Sequence, residues 1–466
     1  MIWIDIDKST PTPLIRQIYE QIRFKILSGQ LKAGEKLPPT RRLASDLGIS
    51  RIVVMEAYEQ LIAEGYLEGR QGSGTTVADG IYPGNVHEPA KRQVGNAFAI
   101  QEQKGDLINF RTGVPAVDTF PKKEWGQLLQ KTCIEMPPAL FGYDQPQGRP
   151  ELRQAIAEYL LRARGVDCDP DQIYITAGTT QSLAILLRIL YFHGAEAILE
   201  DPTSEFGMMM KSSEKYNFIS VPVDNNGIRT DLLTITEKTS FVFVTPSHQF
   251  PLGGVLPIQR RLELINLSRN TNCYIIEDDY DSEFRFAGHP ISSMYSCEPN
   301  RVIYLGTFSK AFSPALRLGY AILPDTLGPR FLDCKYYMDE HNSLIEQLAM
   351  ARFINEGRYE KHISKMKKIY HQRQKSLIKA LEDNFPGRFS ISGHSTGLHL
   401  IVEFPNVEFT DKIQKAAIDA GVRIHPVESL AIEKGRHCSK IVMGYGHLTA
   451  DEIKEGIRRL KSVIAK

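Results

Sequence analysis

A chain of 466 residues exceeds one ordinary domain, and two or three are expected. Its apolar share of 42% is enough for sizeable cores, while a net charge of +1 gives no global field for nucleic acid or membrane. Six scattered cysteines with no C-x-x-C pair argue for reduced thiols in a cytosolic protein, against a disulfide framework or a zinc site. The opening seven residues carry acids where a secretion signal needs a basic then apolar run. No stretch of about 18 apolar residues is present, so no membrane span is expected.

Taken from the N-terminus, Leu14, Ile15, Ile18, Ile22, Ile26 and Leu27 fall at helical spacing, and Ser28-Gly29 stops that helix. Leu37-Pro38-Pro39-Thr40 then sets a hydroxyl before Arg41-Arg42-Leu43-Ala44, which predicts Thr40 as the N-cap of a short second helix. That helix ends at Leu47-Gly48. Ile49-Ser50 opens a third, from Arg51 to about Glu64, with Val54, Ala57, Tyr58 and Leu61 inward. Two helices joined by a glycine-bearing turn are a helix-turn-helix signature. The stretch 66–77, turned at Gly72-Ser73-Gly74, predicts a β-hairpin that serves as a wing.

Residues 1–79 hold ten Lys/Arg and ten Asp/Glu, so the head is not basic overall. Distribution is what favours DNA. Lys36, Arg41, Arg42, Arg51 and Arg70 gather at the second helix, the start of the third and the wing, where phosphates and base edges are met. The N-terminus of the third helix adds free N–H groups for a phosphate. From 79 to 105 no period persists, and Pro83, Gly84, Asn85, Pro89 and Gly95 mark a flexible linker.

From 106 to 466 strands and helices alternate, which predicts α/β architecture on a largely parallel sheet. Ile173-Tyr174-Ile175-Thr176 runs into Ala177-Gly178-Thr179-Thr180, a turn that cradles a phosphate at a helix N-terminus or simply caps a helix. Tyr274-Ile275-Ile276-Glu277-Asp278-Asp279-Tyr280 is an apolar strand ending in acids and a tyrosine, and acids there are costly without a cation nearby. Thirty-two residues after Asp278, the strand Val302-Ile303-Tyr304-Leu305 delivers Gly306-Thr307-Phe308-Ser309-Lys310, with Arg317 beyond it. Hydroxyls and an arginine hold phosphates. A lysine with a lowered pKa forms Schiff bases. Together they point to pyridoxal 5'-phosphate (PLP).

Three resemblances sharpen this reading. Leu37-Pro38-Pro39-Thr40-Arg41-x-Leu43-Ala44-x-x-Leu47-Gly48-Ile49-Ser50-Arg51 with Gly72-Ser73-Gly74 resembles the GntR-type winged helix. That implies DNA contacts from Arg41, Arg51 and Gly72, with Lys36, Arg42, Ser50, Arg70, Gln71 and Ser73 around them. Ile52 and Val53 stand where that family often has small hydroxyl residues; methyl contact with thymine is open to them, and the departure leaves the operator sequence open but not the DNA binding. Residues 106–466 resemble fold type I, class I aminotransferases, through the lysine turn, the acidic strand and Phe141-Gly142-Tyr143-x-x-Pro146-x-Gly148-x-x-x-Leu152-Arg153. The resemblance implies a mostly parallel sheet with a small C-terminal α+β subdomain. It places PLP on Lys310, Asp278 under the ring nitrogen, Tyr280 and Gln249 at the ring oxygen, and Thr307, Ser309, Arg317, Thr179 and Thr180 at the phosphate. It also implies that Tyr143 reaches the partner's phosphate in a homodimer.

The combination, with Thr245-Pro246-Ser247-His248-Gln249-Phe250-Pro251, resembles the MocR/GabR family of bacterial regulators. The organisation expected is a winged helix-turn-helix over 1–78, a linker over 79–105 and a PLP-binding, effector-sensing, dimerising body over 106–466. The resemblance implies a cytoplasmic head-to-tail dimer on operator DNA that senses an amine through the Lys310 aldimine, or senses PLP itself. The GABA-responsive branch carries an arginine after its Glu-x-Pro turn, absent from Glu200-Asp201-Pro202-Thr203-Ser204-Glu205-Phe206, and Arg436 is the remaining candidate for an effector carboxylate. A working aminotransferase with a regulatory head, and a DNA-binding protein whose body only dimerises it, are the alternatives.

Overall fold

The computed structural model describes residues 4–70, 74–81, 107–212, 215–286 and 291–464. The chain divides into two compact units, residues 1–100 and 101–466. Residues 82–105 of the expected linker lie outside the described residues.

In the first unit α1 (Leu14–Leu27) buries Ile18, Tyr19, Ile22 and Ile26, one stripe at helical period. Helix α2 (Thr40–Leu47) departs from the sequence expectation. Its N-cap is Pro39, Thr40 is the first helical residue, and no side chain caps it. The proline ring presets the backbone at the cap, so the hydroxyl is not called upon. Gly48 then takes φ +62°, a left-handed turn natural to glycine, and ends α2. Helix α3 (Arg51–Ala63) is capped as a helix start usually is, the Ser50 hydroxyl accepting from Ile52 N–H at 3.3 Å. Strands β1 (Leu67–Arg70) and β2 (Gly74–Val77) pair antiparallel with Leu67 opposite Val77. Leu37, Leu43, Val54, Ala57, Leu61, Leu67 and Val77 close one core under all five elements.

The second unit starts with β3 (Ile108–Asn109), α4 (Lys122–Glu135) and α5 (Pro150–Arg164). Alternation then begins: β4 (Ile173–Thr176), α6 (Thr179–Ile189), β5 (Glu196–Asp201), α7 (Glu205–Lys211), β6 (Asn217–Asp224), β7 (Gly227–Ile228) and β8 (Thr239–Val244). It continues through α8 (Ile258–Thr271), β9 (Tyr274–Asp279), β10 (Val302–Thr307) and β11 (Gly319–Ile322). These strands form one sheet in the order β4-β11-β10-β9-β8-β5-β6-β7. The strands β10, β9, β8, β5 and β6 pair parallel, while β11 runs antiparallel to both β10 and β4 and β7 antiparallel to β6. Ile275, Val302, Val242 and Ile198 pack on one face, while Ile276, Ile303, Phe243 and Leu199 pack on the other. Apolar cover on both faces is the reason these strands read as unbroken apolar runs.

After the sheet come α9 (Gly328–Asp339), α10 (Leu344–Asn355) and the long α11 (Arg358–Asn384). A small subdomain follows, built of β12 (Ser390–Ser392), β13 (His399–Glu403), α12 (Asp411–Asp419), β14 (Val422–Arg423), β15 (His425–Pro426), β16 (Lys440–Gly444) and α13 (Ala450–Ile464). Its sheet is antiparallel, β12-β13-β16-β15, and β14 pairs parallel with β3. The strand that opens the body is thus part of the subdomain that closes it. Among the described residues no helix is long and apolar enough to cross a membrane.

Candidate functional site

The carboxyl ends of β4, β5, β8, β9 and β10 face one side of the sheet, the side where open α/β sheets bind ligands. A cavity of about 270 Å³ opens there. Lys310, Asp278 and Tyr280, three residues the sequence singles out, line it together with Arg111, Gly113, Ser204, Glu205, Phe206, Thr245, Phe250, Leu398 and His399.

Asp278 is the last residue but one of β9, and parallel pairing sets it opposite Leu305 on β10, five residues before Lys310. It is 3% exposed and its Oδ1 has no hydrogen-bond partner. Burial lifts its pKa from 3.8 to about 7; neighbouring Asp279 adds to the rise, and Lys310 opposes it. Lys310 Nζ donates to the carbonyl of Gly113 at 2.8 Å. Burial lowers its pKa against the pull of Asp278, and Arg111 lowers it further, which enlarges the neutral, nucleophilic fraction. Tyr280 donates its hydroxyl to the backbone oxygen of His248 at 3.0 Å and lies 3.1 Å from that ring's Nδ1. Burial and the surrounding acids keep the phenol protonated well above its usual range.

Behind the tyrosine, His248 Nδ1 is 2.8 Å from Asp281 Oδ2, and the His248 ring stacks on His399 at 4.8 Å. His248, Asp281 and His399 are close enough to be considered for a metal ion. The two rings lie within 28° of parallel, so their lone pairs run side by side rather than converging. His248 and Asp281 also satisfy one another. The cluster acts as a hydrogen-bonded support. Burial drives His399 down to about 3, so it stays neutral.

The predicted phosphate residues gather beside the cavity rather than on its wall. Thr307 pairs with Gly319 and Gly319 with Thr176, which brings the Lys310 turn next to the Gly178-Thr179-Thr180 start of α6. A Cβ added to Gly178 would lie 3.6 Å from Arg317 Nη2, so the guanidinium covers the glycine that opens that helix. The Thr307 hydroxyl accepts from Ser309 N–H at 3.1 Å and rigidifies the turn. Thr179 is buried and Thr180 exposed.

Two expectations are overturned. Gln249 is fully buried and does not line the cavity. Its amide nitrogen donates to the Pro202 and Phe250 carbonyls at 3.0 and 2.7 Å, and its oxygen accepts from Leu252 N–H at 3.0 Å. The loop needs it as a staple, and the next residue, Phe250, faces the cavity instead. Arg436 lies on the surface, paired with Glu433 at 2.8 Å, and is absent from the cavity wall. Its loop is held elsewhere, by Asp201 on the amides of Ile432 and Glu433. Tyr143 is 85% exposed, edge-on to His341, and likewise lies off the cavity of its own chain. Sequence reasoning missed Arg111, whose signal is a basic residue just ahead of Thr112-Gly113.

These groups suit a flat, cationic heteroaromatic phosphate such as PLP. The unpartnered Asp278 oxygen is an acceptor awaiting a ring N–H, Lys310 is a tuned amine, and Arg317 with the α6 amides forms an anion cradle.

In the first unit Lys36, Arg41, Arg42, Ser50 and Arg51 are all exposed. Among the described residues no acid pairs with Lys36, Arg41 or Arg51, while Arg42 lies 4.0 Å from Asp46. Ile52, beside Arg51, is 60% exposed, whereas Val53 packs half-buried on the core. Gln71, Gly72 and Ser73 of the wing lie outside the described residues, and Arg70 ends β1.

Residues 14–77 match the family of bacterial regulatory proteins of the gntR type, and residues 105–460 match aminotransferase class I and II. The chain is 34% identical to a probable rhizopine catabolism regulatory protein, MocR, of Rhizobium meliloti, over 98% of this chain and 95% of that one. It is 31% identical to the pyridoxine biosynthesis transcriptional regulator PdxR of Corynebacterium glutamicum, over 82% of this chain and 81% of that one. Among solved structures, the α-aminoadipate aminotransferase LysN of Thermus thermophilus superposes with a TM-score of 0.71 at 24% identity, over 78% of this chain and 94% of that one. It shares the fold of the second unit.

Proposed function

Because this chain belongs to the MocR/GabR family of GntR-type transcriptional regulators with an aminotransferase-like domain, we propose that it is a PLP-dependent regulator whose operator binding responds to an amine ligand. The observation that carries the reading is Lys310 and the unpartnered Asp278 oxygen on one cavity wall. PLP, when bound, supplies an aldehyde carbon that condenses with one amine at a time. Asp278 accepts from the ring nitrogen and keeps its proton there. Tyr280 offers its hydroxyl to the ring oxygen, fixed by His248 and Asp281. Arg317, Thr307, Ser309, Thr179 and Thr180 hold the phosphate. An incoming amine competes with Lys310, and PLP itself serves as the signal where occupancy alone is read.

The same reading gives the head its role: Arg41 and Arg51 meet DNA phosphates and base edges, with Lys36, Arg42, Ser50 and the wing residues 70–73 alongside. The protein works in the cytoplasm as a head-to-tail homodimer. Exposed Tyr143, with Phe141 and Tyr337 exposed on the same unit, favours a second copy that covers them. In this dimer Tyr143 reaches the partner's phosphate. Ligand exchange at Lys310 shifts the closure of the small subdomain, and the linker passes that shift to the heads.

The test joins two measurements on the full-length, PLP-loaded protein. Amines are screened for a shift of the cofactor's absorbance, and those that shift it are added to operator titrations. The expected result is that the same compounds change operator affinity and that Lys310→Ala abolishes both effects. If no compound, PLP included, changes DNA binding, sensing is excluded. A second reading, a working aminotransferase, is favoured by the complete set Lys310, Asp278 and Tyr280 on one cavity. Steady build-up of amino acid from an amino donor and a keto acid would establish it, and a single cofactor turnover without product build-up would dismiss it.

A further inference from the structure

Cofactor binding leaves two charged groups of the cavity unused, Arg111 and Glu205. Arg111 follows β3, and its backbone is clamped by the subdomain. Phe110 N–H donates to Arg423 at 3.1 Å, the Phe110 carbonyl accepts from Gly444 N–H at 2.9 Å, and β16 passes so close that a Cβ on Gly444 would strike the Arg111 carbonyl. A fixed backbone thus presents the guanidinium at the cavity mouth. The side chain is exposed, and no acid pairs with it among the described residues. Its charge reaches Lys310, whose pKa it helps to lower. Glu205 begins α7, has no partner among the described residues, and acts on Lys310 in the opposite sense.

A free guanidinium beside an imine-forming lysine suits a ligand that brings both an amine and an anion. The guanidinium fork matches a carboxylate through two parallel hydrogen bonds. We propose that Arg111 anchors the carboxylate of the amine ligand and that Glu205, on the same cavity, turns away a second carboxylate. The ligand class is then small amino monocarboxylates rather than plain amines or amino dicarboxylates. Size agrees: about 270 Å³ falls below the range of about 300–1,000 Å³ common for small-molecule sites, and the cofactor shares it. The inference rests on the amine-sensing reading above. It replaces Arg436, which lies away from the cavity.

The experiment titrates the PLP-loaded full-length protein with glycine, L-alanine, D-alanine, ethylamine and L-glutamate, reading half-saturation of the absorbance shift. Glycine and the alanines are expected at about tenfold or more below ethylamine, the worth of a charge-assisted hydrogen-bond pair. Arg111→Gln should erase that preference, Arg111→Lys should keep part of it, and Glu205→Gln should bring L-glutamate towards glycine. A second readout needs no amine chemistry: propionate should raise the thermal midpoint of the parent protein and leave that of Arg111→Gln where it was. Equal half-saturation for glycine and ethylamine, or an Arg111→Gln variant that retains the preference, overturns the anchor alone. An unaltered L-glutamate response in Glu205→Gln overturns the exclusion. A protein whose absorbance answers to no amine sinks the amine-sensing reading and this inference with it, and leaves PLP occupancy as the signal to test.

Discussion

The amine of Lys310 and the carbonyl of Gly113 are joined by a hydrogen bond of 2.8 Å across 197 residues of chain. Lys310 belongs to a turn after β10 of the large sheet, while Gly113 lies on the segment that leaves β3 in the small subdomain. The bond therefore couples the state of the lysine to the segment that carries Arg111. Gly113 has φ +69°, and a Cβ there would sit 2.7 Å from Lys310 Nζ. Gly113→Ala should cost about 1–2 kcal/mol through its left-handed backbone, read by denaturant unfolding. It should also displace the lysine and weaken the cofactor's absorbance band. An unaltered band would mean that the lysine does not depend on this contact.

Asp278 gives a pH dependence with a definite sign. Its folded-state pKa is raised, from 3.8 to about 7, so the folded protein without cofactor holds the proton more tightly than the unfolded chain. The stability this contributes is full below about pH 4 and is lost as pH rises through about 7. Glu200 and Glu283, also raised to about 7 by burial, act in the same direction. Melting of the cofactor-free protein between pH 5 and 8 should show falling stability with rising pH, by an amount on the order of 1.4 kcal/mol per unit for a single such group. Asp278→Asn should flatten part of that slope. A bound cationic ring should do the same, by holding the carboxylate ionised.

Arg164 and Asp279 form a buried pair at 2.8 Å, with side chains 4% and 2% exposed. The Tyr304 and Ser282 hydroxyls donate to the same carboxylate oxygen at 2.6 and 2.8 Å. Arg164→Met strands a buried charge directly after Asp278 and should cost about 3–5 kcal/mol. Pairing it with Asp279→Asn should return much of that loss. Additive losses in the double variant, measured by denaturant unfolding, would show the two groups to be independent.

What the sequence made legible follows from distance along the chain. Asp278, Tyr280 and Lys310 sit at the ends of apolar parallel strands, and neighbouring strands bring such ends together, so local pattern sufficed. Helices α1 and α3 were likewise legible from apolar spacing. Arg111 was not, because it reaches the cavity through the pairing of β3 with β14, some 300 residues later. Gln249 and Phe250 differ by one position in an irregular loop, where no period tells which side chain faces inward. Thr40 looked like a cap because threonine favours that place, yet Pro39 before it had already set the backbone.

At the head, the exposed start of α3 separates affinity from specificity. Arg51 is exposed at the helix N-terminus with no acid paired to it among the described residues, which suits a phosphate or base edge. Ile52 next to it is 60% exposed and has only methyl contact to offer. Operator titrations of Arg51→Ala between about 50 and 200 mM salt should show weaker binding and a slope lowered by about 1. Ile52→Ser should leave that slope alone and change base preference at one position by about 1–3 kcal/mol. The measurement is a fluorescence-anisotropy series on an operator obtained by binding-site selection, with each position varied in turn. If Arg51→Ala keeps the parent slope and affinity, the helix meets DNA by another face or not at all.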